Sequence, residues 1–152
     1  MEIKIRPAKE EELGVLLEFE KGIIETERPF DITLKDGEIH YYDLLELIRS
    51  PDSEVMVAEI DGQLVGSAYV QIRKADSYLK HTHFAYLGFM YVKPAFRGKG
   101  INHSLLEALI SWIKAKGISE IRLDVYYENI VAKNVYLKAG FKPIMLTMRR
   151  TI

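Results

Sequence analysis

There is no cysteine anywhere in the 152 residues. That absence excludes a disulfide framework, a thiolate metal site and a cysteine nucleophile. There is no excess of either charge: Lys plus Arg is 21 against 22 for Asp plus Glu, a net charge of −1. Broad, sequence-independent nucleic-acid binding needs a basic surface, so no nucleic-acid partner is expected. Long apolar runs are missing too; the longest, FAYLGFMYV at 84–92, has only nine residues. A membrane-spanning helix needs about 20. The opening MEIKIRPAKEEEL has no signal-peptide apolar core,. These absences predict a soluble, cytoplasmic protein with no membrane partner. With no repeat, low-complexity segment or charged linker, a single domain over 1–152 is expected,.

What is present is a regular succession of short periodic segments. EIKIR (2–6) alternates as a strand, and EEELGVLLEFEKGII (10–24) has helical spacing with acids in its first turn,. ETERPFDITLKDGE (25–38) reads as a loop, and YYDLLELIRS (41–50) as a second helix stopped by Pro51. EVMVAEI, Asp61-Gly62 and QLVGSAYVQIRK predict a hairpin across a tight turn,. HFAYLGFMYV (83–92) is nearly all apolar, which predicts a central strand,. INHSLLEALISWIKAKG then repeats apolar residues at helical spacing up to Gly117,. ISEIRLDVYY (118–127) reads as a strand, Asn129 can cap a helix over IVAKNVYLKAG, and FKPIMLTMRRTI reads as a closing strand. The order predicts an α/β fold with a mixed, mostly antiparallel central sheet flanked by helices.

One stretch is chemically unusual. FRGKGINHSL (96–105) places Arg97 and Lys99 at the start of a helix, where the backbone is already electropositive and acids are the usual choice. Glycines let successive N–H groups point into one concavity, and such a concavity holds an anion, most naturally phosphate. The cations are then suited to a polyphosphate ligand. The stretch does not match a P-loop, and His103 stands where a dinucleotide fingerprint needs glycine,. Taken alone, RGKG reads as readily as a surface turn with two solvated cations.

A second motif changes the balance. ENIVAKNVYLKAGF (128–141) follows VKPAFRGKG in order along the chain. Together they resemble the GNAT superfamily of acyl-CoA-dependent N-acyltransferases, whose loop pattern is [QR]xxGx[GA] and whose later motif is N-x-x-A-x-x-x-Y-x-K-x-G-F. The one departure is Asn102, where Gly or Ala is usual. The resemblance implies a fourth strand splayed from the fifth, with Met90, Tyr91 and Val92 pairing to the pantetheine arm of acetyl-CoA. It implies a pyrophosphate cradle of Arg97, Gly98, Lys99, Gly100, Ile101, Asn102 and His103, a pantetheine contact at Asn129, and a thiolate-protonating phenol at Tyr136. The implied activity is transfer of an acetyl group from acetyl-CoA, as cosubstrate, to a primary amine of a small molecule or peptide. Without cysteine there is no thiol to carry the acyl group, so the amine attacks directly in a ternary complex.

Amine deprotonation needs a base, since a free amine has a pKa near about 10. Relatives commonly carry a carboxylate on the fourth strand, where this chain has Gly88 and Phe89. Candidates are His83, Asp124, Glu25, Glu27 and a water relay. The missing strand carboxylate also fits an alternative, a catalytically silent acyl-CoA-binding module. Acceptor recognition is expected from Glu27, Arg28, Tyr86 and Tyr126. His81 and His83 form an HxH without a nearby acidic third ligand, so no metal is expected,. Relatives often pair as homodimers.

Overall fold

The computed structural model describes residues 2–152. Five strands form one sheet in the order β1-β2-β3-β4-β5: β1 Lys4–Pro7, β2 Ser53–Ile60, β3 Gln63–Lys74, β4 His83–Val92 and β5 Ile121–Arg122. Neighbours are antiparallel except β4 and β5, which run parallel. The Asp61-Gly62 turn joins β2 to β3 in the expected hairpin. The helices are α1 Leu13–Glu27, α2 Leu44–Arg49, α3 Ile101–Ala115 and α4 Ile130–Lys138. The expected mixed sheet flanked by helices is therefore the fold of this chain.

Two hydrophobic clusters cover the two faces of the sheet. On one, α3 buries Ile101, Leu105, Leu106, Leu109 and Ile113 against Val65, Ala68, Val70, Ala85 and Leu87. Complete burial of each large aliphatic side chain contributes about 1.5–3 kcal/mol. On the other, α1 and α2 bring Leu16, Phe19, Ile23, Leu44 and Leu47 onto Val55, Val57, Tyr69 and Phe89.

Several boundaries differ from the sequence reading. Helix α1 runs to Glu27, so Glu25 and Glu27 belong to its last turn and not to a loop. Pro29 is the true breaker; Arg28–Phe30 form a 3-10 turn. Helix α2 starts at Leu44 because Asp43 caps it, accepting from the Glu46 N–H at 3.1 Å. The Tyr41 and Tyr42 N–H groups are instead drawn to the buried Glu20 carboxylate, each at 3.0 Å. Strand β4 is an interior strand, with β3 on one side and β5 on the other. The expected long strand over 118–127 is reduced to Ile121–Arg122. The expected closing strand is absent: after Gly140 the chain continues to Ile152 without any ladder pairing.

Candidate active site

The site grows out of an irregularity in β4. Ala85 and Leu87 face α3, but Phe89 packs under α1, and Met90 and Val92 return to the α3 side. The strict alternation of a strand is broken by one extra residue, a β-bulge. The register with β3 shifts there, from Tyr69↔Gly88 to Ser67↔Tyr91. Phe89 sits at φ 57°, in the left-handed region that bulky residues avoid,. Two contacts hold it. The Ser67 hydroxyl donates to the Phe89 carbonyl at 3.0 Å, and Gly88 leaves room for the Tyr69 ring, which a methyl group would meet at 2.3 Å.

The bulge coincides with the end of pairing on the other side of β4. Only Ala85↔Ile121 and Tyr86↔Arg122 pair with β5, so the strands part from Leu87 onward. Met90, Tyr91 and Val92 thus lie on an opened sheet edge. Tyr91 packs on Phe19, ring centroids 5.0 Å apart. The Val92 carbonyl already accepts a bond from Arg97 Nε–H at 3.0 Å.

The glycine loop follows directly. Pro94–Phe96 make a 3-10 turn, and Gly98 and Gly100 take φ of 77° and 81°. Only glycine adopts that conformation without strain. The first bond closing α3 runs from the Ser104 N–H to the Gly100 carbonyl at 3.1 Å. Among the described residues, the N–H groups from Gly98 to His103 have no protein acceptor. The Arg97 guanidinium and the Lys99 ammonium flank this bare helix start, resting against the Tyr91 and Phe96 rings.

Helix α4 carries the other motif. Asn129 caps it, its Oδ1 accepting from the Ala132 N–H at 3.2 Å, which leaves its amide NH₂ free of that duty. Tyr136 is half-buried against Phe141, ring centroids 5.9 Å apart. Burial, and then the nearby Glu27 carboxylate, push its phenol up to about 12. The phenol is therefore fully protonated at neutral pH.

Glu27 is also half-buried, and burial raises its carboxyl above the ordinary value of 4.5, against the opposing influence of Tyr41. The Tyr41 hydroxyl is buried without a hydrogen-bond partner among the described residues. Tyr126 stacks on Phe30 and donates to Asp31 Oδ2 at 3.1 Å, and burial lifts its phenol to about 12. Asp31 is held well below the usual carboxylate range, first by Thr33 and then by Arg149 and Tyr126. One end of α1 and the stretch after β5 thereby come together around Glu27, Tyr41, Tyr126 and Tyr136.

The remaining candidates are engaged elsewhere. Arg28 spends its guanidinium on the Lys35 and Gly37 carbonyls, at 2.8 and 2.6 Å, and on Glu25 at 3.1 Å. Its visible duty is to pin the loop after α1. Asp124 accepts the Tyr86 phenol at 2.7 Å, while Arg73 stacks 3.8 Å over the Tyr86 ring. Arg122 reaches Glu120 and His81. His83 bonds Thr82. Among the described residues, no three His, Asp or Glu side chains are grouped to hold a metal ion. Among the described residues, no helix is long and apolar enough to cross a membrane. A hollow of about 740 Å³ is lined by Leu17, Lys21, Glu25, Asp36 and His40 and by no residue of the β4 opening.

Comparison with known proteins bears on this arrangement. The profile of the acetyltransferase (GNAT) family matches residues 21–141. The chain belongs to that family. An aminoglycoside N(6')-acetyltransferase type 1 from Stenotrophomonas maltophilia is 29% identical over 104 residues, 66% of this chain and 67% of that relative. A mutant of the BH1408 protein from Bacillus halodurans has the same fold, with a TM-score of 0.89 at 20% identity over 98% of this chain and 99% of that one. A predicted acetyltransferase from Clostridium acetobutylicum, determined with acetyl-CoA, gives a TM-score of 0.76 at 19% identity, covering 99% and 96%.

Proposed function

We propose that this chain transfers an acetyl group from acetyl-CoA to a primary amine by direct attack in a ternary complex, in the cytoplasm. The observation that carries the reading is the run of N–H groups from Gly98 to His103 without acceptors, continuous with the opened edge of β4. Diphosphate oxygens satisfy such donors, and Arg97 and Lys99 neutralise the remaining charge. The pantetheine arm then lies along Met90, Tyr91 and Val92, displacing Arg97 from the Val92 carbonyl and reaching the amide of Asn129. Acetyl-CoA is a substrate here, and no metal takes part.

The chemistry assigns three roles. Glu27 takes a proton from the acceptor ammonium, since burial has moved its carboxyl towards the range useful for a base,. The freed nitrogen attacks the thioester carbonyl, and the oxyanion is met by backbone N–H groups at the bulge near Met90. Collapse breaks the C–S bond, and the thiolate takes the Tyr136 phenolic proton; the Glu27 proton returns through solvent. Positioned proton transfer contributes about 10²–10⁴-fold, and holding the two substrates together contributes more.

Glu27 lies on α1, and it supplies the carboxylate that Gly88 and Phe89 do not. That favours an enzyme over a silent binding module. The acidic and tyrosine-rich surroundings suit a polycationic acceptor, and the relatives named for aminoglycosides make amino sugars the first class to try. Thiol release should be followed with acetyl-CoA and a panel of aminoglycosides, polyamines, amino acids and short peptides. Release with at least one amine supports the reading. Acetyl-CoA binding by calorimetry without release across the panel leaves the silent module, and absence of binding overturns both.

A further inference from the structure

Glu20 is the one buried charged side chain among the described residues, at 1% exposure. It lies on the apolar face of α1, among Leu16, Phe19 and Ile23. Replacing a buried ionic group by an apolar one is often neutral or stabilising, so the carboxylate calls for a reason beyond stability. Its hydrogen bonds all go to one irregular stretch ahead of α2. Oε2 accepts the Tyr41 and Tyr42 N–H groups, each at 3.0 Å, and Oε1 bonds His40 Nδ1 at 2.6 Å.

The side chains on that stretch supply the reason. Two consecutive N–H groups held on one oxygen fix the Tyr41 and Tyr42 backbone together. The Tyr42 ring meets Phe89 of the bulge edge-on, centroids 5.4 Å apart. The Tyr41 hydroxyl is buried, faces Glu27, and has no hydrogen-bond partner among the described residues. A buried hydroxyl without a partner is costly, and an ammonium brings the N–H donors that it lacks. Glu20 and Glu27 stand about two turns apart on α1,. One helix therefore carries both the base and the anchor of the hydroxyl beside it.

We infer that Glu20 is a positioning residue for acetyl transfer: its grip on the Tyr41 and Tyr42 backbone sets the Tyr41 hydroxyl beside Glu27, where that hydroxyl takes a hydrogen bond from the acceptor amine. The inference rests on Glu27 as the base of the proposed reaction. The titratable groups around Glu27 are Tyr41, Tyr42, Tyr126 and Tyr136, and among the described residues no cation competes with the ammonium for it. A plain loop anchor would stabilise the fold and leave Glu27 untouched, so the readout is the titration of Glu27 itself.

The test follows that carboxyl by carbon NMR in a chain labelled with ¹³C at glutamate Cδ, the resonance assigned with Glu27→Gln. Against burial, which raises the Glu27 pKa, the Tyr41 hydroxyl lowers it. Tyr41→Phe keeps the ring and should move the titration to higher pH. Glu20→Met should move it the same way, and the double variant no further than either. Glu20→Gln should titrate as the parent chain does, because its amide oxygen still accepts both N–H groups. With an amine that the panel shows to be acetylated, KM for that amine should rise about tenfold in Tyr41→Phe and Glu20→Met, the scale of one hydrogen bond to a charged group. Acetyl-CoA affinity by calorimetry should not change.

Far-UV circular dichroism checks the fold of each variant. Should Glu20→Met not fold, Glu20→Asp, whose oxygens stop one methylene short of the N–H groups, is held to the same expectation. Glu27 unshifted in Tyr41→Phe or in the folded Glu20 variant overturns the inference, as does Glu20→Gln behaving like Glu20→Met. A shifted Glu27 in a chain that acetylates no amine upholds the Glu20–Tyr41–Glu27 arrangement and overturns the activity; turnover with Glu27 unshifted does the reverse.

Discussion

The Ser67 hydroxyl, fully buried in the sheet, donates to the carbonyl of Phe89 at 3.0 Å. That bond helps to hold the bulge that turns the far half of β4. Ser67→Ala strands a buried acceptor, which costs about 1–3 kcal/mol. Urea denaturation should show that loss. If the bulge aims the oxyanion donors, kcat should fall along with it.

Gly100→Ala tests the anion loop. Nothing lies within 4 Å of the position an added Cβ would occupy, so the cost is not a clash. It is the φ of 81°, where an L side chain costs about 1–2 kcal/mol,. The loop should relax and scatter its N–H groups. Calorimetry should find acetyl-CoA binding weakened at least about tenfold, which corresponds to the same energy scale, with the unfolding midpoint only slightly lowered.

Tyr136→Phe keeps the ring against Phe141 and removes the proton. Turnover should drop by about 10²-fold or more, while acetyl-CoA affinity measured by calorimetry stays within error. Equal turnover in the two proteins would strip Tyr136 of its role.

Glu27→Gln separates stability from activity. Burial raises the folded-state pKa of this carboxyl. The stability it contributes is therefore fully present below its ordinary pKa of about 4.5 and is lost as pH rises through the raised value. At neutral pH the ionised side chain works against the fold. The amide removes that penalty, so Tm at pH 7 should rise while kcat falls. The rising acidic limb of the wild-type pH–rate profile should disappear with it.

Much of this was readable before any coordinates. Asp61-Gly62 between alternating runs determined the hairpin, and the apolar spacing from Ile101 to Ile113 determined the buried face of α3. VKPAFRGKG and the Asn129-to-Phe141 motif pointed to the family and to the loop now seen with bare N–H groups. Glu27 was among the candidates but was assigned to a loop, although Pro29 marked the helix end more faithfully than Glu25 did. The bulge was invisible because FAYLGFMYV is apolar on both faces, so a skipped residue leaves no trace in its pattern. Asp124, a candidate base, was claimed instead by the Tyr86 phenol of the neighbouring strand, a partner 38 residues away that local spacing does not reveal.

Local chemistry, then, was determined by the sequence alone: which segments turn, cap and present an apolar face, and which short glycine loop opens a helix with its N–H groups bare. These depend on neighbours a few residues apart, which spacing records. The tertiary structure alone decided that Phe89 changes face, that β5 ends after two residues, and that Glu27 stands near Tyr136. Those outcomes depend on competition among groups distant in the chain for the same space and the same hydrogen bonds, and no local pattern encodes that competition.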